Sequence, residues 1–190
     1  MGDPLERVAA LLQTRNAIDT DLAAIMQRPM TSGHLGEWIA ARIFDIDLEE
    51  SASTAAIDGR FRSGLVGGRT VNVKWYLKRE GVLDTTESDA LDYYLVLTGP
   101  LSSAGSSRGS TRPWCVEAVY LFDARQLRSE QISRGVKLGI ASSVTTRQWE
   151  AAQVYPHSAN PVLPVSANQR NLLKLFSATQ LTTYACRVLK

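Results

Sequence analysis

Two runs decide the reading of this chain: Ala56-Ile57-Asp58-Gly59-Arg60-Phe61-Arg62 and Thr70-Val71-Asn72-Val73-Lys74-Trp75-Tyr76. In the first, Ile57, Gly59 and Phe61 alternate with Asp58, Arg60 and Arg62. In the second, Val71, Val73 and Trp75 alternate with Asn72, Lys74 and Tyr76. Period-two alternation marks strands with one buried face. Between them Ser63-Gly64-Leu65-Val66-Gly67-Gly68-Arg69 carries three glycines and predicts a turn. A hairpin centred near Val66 sets Asp58 opposite Lys74 and Arg60 opposite Asn72, all on one face. A slip of one residue would break that agreement.

Outward from the hairpin, the pattern predicts helices and further strands. Leu5, Val8, Leu11, Leu12, Ile18, Leu22 and Ile25 recur at helical spacing over residues 5–28, behind Pro4 at a first-turn position and before Pro29. Thr31 or Ser32 caps a second helix over 33–45, where His34 and Glu37, three apart, share a face. Tyr93 to Thr98 reads as a central strand, apolar on both faces, and Trp114 to Phe122 as another. Asp123 caps a helix to Ser133, and 137–143 reads as a strand. Thr145 or Thr146 caps a helix through Gln153, and 168–177 is helical. Residues 99–113, rich in Ser, Gly and Arg, read as a loop.

Composition narrows the class. A chain of 190 residues can bury one sizeable core, and 44% hydrophobic with 21% charged residues is ordinary for a globular domain. The net charge of +2 does not announce a nucleic-acid binder. It conceals a local cluster of Arg60, Arg62, Arg69, Lys74, Lys78 and Arg79 on or beside the hairpin. Cys115 and Cys186 are too few for a zinc site or disulfide framework and read as buried thiols of a reducing compartment. With no bilayer-length apolar run and no signal pattern after Met1, the expected location is cytoplasmic.

The motifs Gly33-His34-Leu35-Gly36-Glu37, Ile57-Asp58-Gly59 and Val71-Asn72-Val73-Lys74, in that order, resemble the PD-(D/E)xK, or restriction-endonuclease-like, nuclease superfamily. The resemblance covers roughly residues 32 to 122. It implies an α/β (α+β) fold: a mixed sheet of four to five strands flanked by helices. The single domain then divides into an N-terminal helix (1–30), a nuclease-like core (32–122) and a C-terminal helical and irregular part (123–190).

It also implies a magnesium- or manganese-dependent nuclease acting on DNA. Asp58 matches the family's metal-binding Asp, Lys74 its catalytic Lys, and Glu37 the helical acid of some branches. Asn72 stands where the family has Asp or Glu, and Ile57 where a proline precedes the Asp. On this reading Asp58, Asn72, Glu37 and the Val73 carbonyl hold the ion. Lys74 serves the attacking water or the scissile phosphate. His34, Arg60, Arg62, Lys78 and Arg79 hold the substrate backbone, and Tyr76 stacks on a base. Double-strand cleavage would call for a homodimer. Two other readings compete: an inactive module of this fold that binds nucleic acid or a partner protein, and an interaction protein that dimerises through its N-terminal helix.

Overall fold

The computed structural model describes residues 3–49, 56–101 and 113–179. Helix α1 (Pro4–Met26) starts where the Asp3 carboxylate accepts the Leu5 N–H at 2.9 Å, and ends on Gln27 in the left-handed region. Helix α2 (Ser32–Phe44) is capped by Thr31, whose hydroxyl accepts the His34 N–H at 3.1 Å. These are the first two helices the sequence predicts, and Thr31 is the cap of its two candidates.

Six strands form the main sheet: β1 (Ile46–Leu48), β2 (Gly59–Phe61), β3 (Thr70–Tyr76), β5 (Tyr93–Thr98), β6 (Ala118–Asp123) and β8 (Gln153–Tyr155), in that spatial order. β3 and β5 run parallel, and the other neighbours are antiparallel. β4 (Val82–Leu83) and β7 (Ser142–Ser143) make a separate two-stranded pair. Helices α3 (Ala124–Ser133), α4 (Thr146–Ala152) and α5 (Ala167–Lys174) follow caps at Asp123, Thr145 and Ser166. The fold is therefore mixed α/β, with one strand more in the main sheet than the upper expectation of five. The extra elements, β1 and β8, are three residues long, too short to show a period. The strand expected over 137–143 shrinks to Ser142–Ser143. Most of the loop expected over 99–113, the end of the C-terminal part and Cys186 lie outside the described residues.

Each face of the sheet has its own core. On one side Val71, Val73 and Trp75 of β3 pack with Ile39, Ala40 and Ile43 of α2. α2 comes close because Gly36 has no side chain: a Cβ there would stand 2.8 Å from Trp75 Cβ. On the other side Tyr94, Val96, Tyr120 and Phe122 pack with Leu127 of α3 and Trp149 of α4. Trp149 meets Tyr120 and Phe122 edge to face at 4.7 and 5.0 Å.

The hairpin register differs from expectation by two residues. Arg60 stands opposite Thr70, and Gly59 opposite Val71. The turn is centred one residue earlier because a 3-10 turn over Gly64–Val66 folds Val66 back into the core, where it is 1% exposed. A two-residue slip leaves the paired side chains on their expected faces; Ile57, beyond the ladder, departs from the expectation and packs in the opposite core from Phe61.

The start of β3 is fixed by Asp92. Its Oδ2 accepts the Thr70 N–H at 2.9 Å, and Arg69 reaches Oδ1 at 3.3 Å. Burial pushes the Asp92 carboxyl up, but the Thr70 bonds and the Arg69 and Arg125 charges outweigh it and hold it below its ordinary range. Asp92→Ala strips a buried N–H of its acceptor, so a loss of about 1–3 kcal/mol in unfolding free energy is expected in urea titration. Because the folded-state carboxyl is shifted down, its contribution is present at neutral pH and fades on acidification; the wild-type advantage over Asp92→Ala shrinks accordingly.

Candidate active site

The site lies where β2 and β3 part. Their ladder runs through Arg60↔Thr70 and Gly59↔Val71 and then opens. Asp58 N–H still reaches Val71 O at 2.9 Å, while Ile57 turns away into the second core. The Val73 N–H loses the carbonyl that a continuing strand would offer. The Asp58 carboxylate supplies the acceptor instead, with Oδ2 at 2.7 Å. Asp58 is thus pinned in the gap between the strands, half-buried, with Oδ1 left for another partner.

Three charged groups bear on it. Burial raises the Asp58 carboxyl above its ordinary value, the Val73 bond opposes this, Glu37 raises it further, and Lys74 and Arg28 lower it. Glu37 belongs to α2 on one face of the sheet, and Lys74 alternates to the other. Both act on Asp58 because it sits at the opened edge between them.

Asn72 is 5% exposed, and its Oδ1 is buried with no hydrogen-bond partner. A buried amide oxygen without a donor costs on the order of 1–3 kcal/mol, so a proton donor or a cation there is favoured. Asn72 and Lys74 together line an open cavity of about 190 Å³ with Ala56, Asp84, Thr85, Thr86, Tyr94, Gly139 and Ile140. Among the described residues Lys74 has no ion-pair partner.

Hard oxygen donors and a half-buried carboxylate are what a magnesium ion takes, and the orphaned Asn72 Oδ1 fits that role. The negative charge is modest. Glu37 is already bound by Arg28 at 2.6 Å, and no group of three or more His, Cys, Asp or Glu among the described residues could hold a metal.

The remaining expected contacts scatter. Nδ1–H of His34 donates to Pro29 O at 2.7 Å and ties the turn between α1 and α2. Arg62 pairs with Asp47 at 2.7 Å, and Lys78 with Glu80. Arg79 lies over the Tyr120 and Trp149 rings at 5.7 and 5.5 Å. The Tyr76 hydroxyl accepts the Asp84 N–H at 2.9 Å, and burial pushes it far above the usual tyrosine range. Tyr76 therefore packs within the fold. Arg60 stays exposed, and its guanidinium donates to Gly68 O at 3.4 Å.

Sequence reasoning missed Asp84 and Tyr94. Asp84 lines the cavity while its Oδ1 accepts the Ala141 N–H at 2.8 Å. It sits in an Asp-Thr-Thr run with no periodic signal. Tyr94 stands beside Asn72 in the parallel β3–β5 register, which only the sheet order reveals.

A larger cleft, about 640 Å³, opens between α3 and α4. Its polar groups satisfy one another: Glu130 accepts from Gln126 at 2.8 Å and Gln148 at 2.6 Å, and Arg134 donates to Gln148 and Ser143. It leaves less unmet chemistry than the small cavity.

No helix among the described residues is long and apolar enough to cross a membrane. No protein-family model and no curated protein matches the chain.

Proposed function

We propose that this chain is a metal-dependent nuclease of the restriction-endonuclease-like kind, hydrolysing DNA phosphodiester bonds with magnesium or manganese. Three observations support the reading: Asp58 is pinned at the opened edge by Val73, Lys74 acts on its charge, and the cavity that Lys74 lines holds a buried Asn72 oxygen with no donor among the described residues. Asp58, Asn72 and the Val73 carbonyl would hold the ion. When bound, it would supply positive charge to the scissile phosphate and acidify water. Lys74 lines the cavity, and its ammonium would donate to a phosphate oxygen there and stabilise the charge that develops on it. Burial of Asn72 fixes its amide in advance, so little ordering remains when substrate arrives. Of the hairpin arginines, Arg62 and Arg69 pair with carboxylates and Arg60 does not, so Arg60 is the one left to meet the DNA backbone. Glu37 serves this reading as a negative neighbour of Asp58 that Arg28 restrains.

A second reading is an inactive module of the same fold that binds nucleic acid or a partner protein. Two observations favour it: the neutral amide at position 72 and the Arg28 pairing that occupies Glu37. Incubating plasmid and linear DNA with purified protein and magnesium or manganese separates the two. Cleavage by wild type, lost in Asp58→Ala and Lys74→Ala, is the expected result. Binding without cleavage would favour the module, and equal cleavage by all three proteins would reject this site.

A further inference from the structure

Helix α1 leaves its apolar side chains in water. Leu5, Val8, Leu11, Leu12, Ile18 and Ile25 are between 51% and 73% exposed, and Met26 is the helix's one buried residue. Single exposed leucines are unremarkable, but six on one helix are a face. Four of them, Val8, Leu11, Ile18 and Ile25, together with Arg15 and the half-buried Leu22, follow each other in alternating steps of three and four. That seven-residue repeat suits one supercoiled partner helix.

We propose that α1 pairs antiparallel with α1 of a second copy of this chain. The step pattern reads the same in both directions. Turned end for end, the stripe therefore meets itself in register: Val8 against Ile25 of the second copy, Leu11 against Leu22, Arg15 against Ile18. The charges select the direction. Arg15 is the only charged residue in the stripe, and parallel pairing would place it on Arg15 of the second copy. Antiparallel pairing sets it beside Ile18 of that copy, with Asp19 and Asp21 adjoining. Its side chain is 63% exposed and already bonds its own Asp19 at 3.6 Å, so it is placed to take a second carboxylate. The helix is about 34 Å long, enough for six layers of contact. This inference does not rest on the nuclease reading.

Light scattering behind size exclusion tests it on the full chain. The expected mass is twice the 20.8 kDa monomer, and Leu11→Glu, an exposed position, is expected to return it to one without changing the circular dichroism spectrum. In a Cys186→Ser background, Val8→Cys protein mixed with Ile25→Cys protein should oxidise to a cross-linked heterodimer, while neither cross-links alone. A wild-type monomer overturns the proposal and would leave the face to a different protein's helix. A Leu11→Glu dimer also overturns it, and cross-linking of Val8→Cys alone overturns the antiparallel register.

Discussion

Under the nuclease proposal, Asp58→Asn is expected to fold and bind DNA but to cleave about 10²- to 10³-fold more slowly than wild type. The amide keeps an oxygen for the Val73 N–H, so the bond that holds β3 open survives. What disappears is the charge. Asp58→Ala removes both, and is expected to lose stability as well as cleavage, by about 1–3 kcal/mol for the stranded N–H. Comparing the two in single-turnover cleavage and urea unfolding separates the structural role of Asp58 from its chemical one. If Asp58→Asn cleaves like wild type, the acid matters only as a strand cap.

The pH dependence has a definite sign. Burial places the Asp58 carboxyl above its ordinary value of 3.8, so the folded protein binds that proton more tightly than the unfolded chain. Its contribution is full below 3.8 and is lost as pH rises through the folded-state value. Wild-type stability relative to Asp58→Asn should therefore decline from acid toward neutrality. Under the nuclease proposal cleavage needs the carboxylate, so it should rise with pH as Asp58 ionises. Parallel rather than opposed profiles would show that a different group controls activity.

Gly59→Ala is the second large effect, and it acts on the backbone. A Cβ at position 59 would stand 2.3 Å from the Asp47 carbonyl oxygen and 2.9 Å from Ile46 Cγ2. Neither is the free end of a flexible side chain. The strands β1 and β2 must separate to admit it, and Asp58 is the next residue along. A loss of about 3 kcal/mol or more is expected, roughly a 6–12 °C fall in melting temperature for a chain of this size. Gly68→Ala is the control. Gly68 has φ +79°, but nothing lies within 4 Å of its added Cβ, so only the left-handed backbone penalty of about 1 kcal/mol applies. Equal losses in calorimetry would mean that close packing at Gly59 is not what excludes a side chain.

The sequence by itself determined the helices α1 to α5 to within a few residues, because caps such as Thr31, Asp123 and Thr145 and the apolar spacing are local signals. It also determined that Asn72 and Lys74 share a face, since alternation survives a two-residue slip. Only the tertiary structure decided that β2 and β3 diverge beyond Gly59, that Asp58 replaces a missing carbonyl, and that Glu37 is held by Arg28. It alone gathered Asp84 and Tyr94 around Asn72, and dispersed Arg62, Lys78 and Arg79 to partners of their own. The physical reason is range. Helix caps and strand alternation are written in neighbouring residues, whereas a pocket joins segments whose distance is set by how whole strands and helices pack.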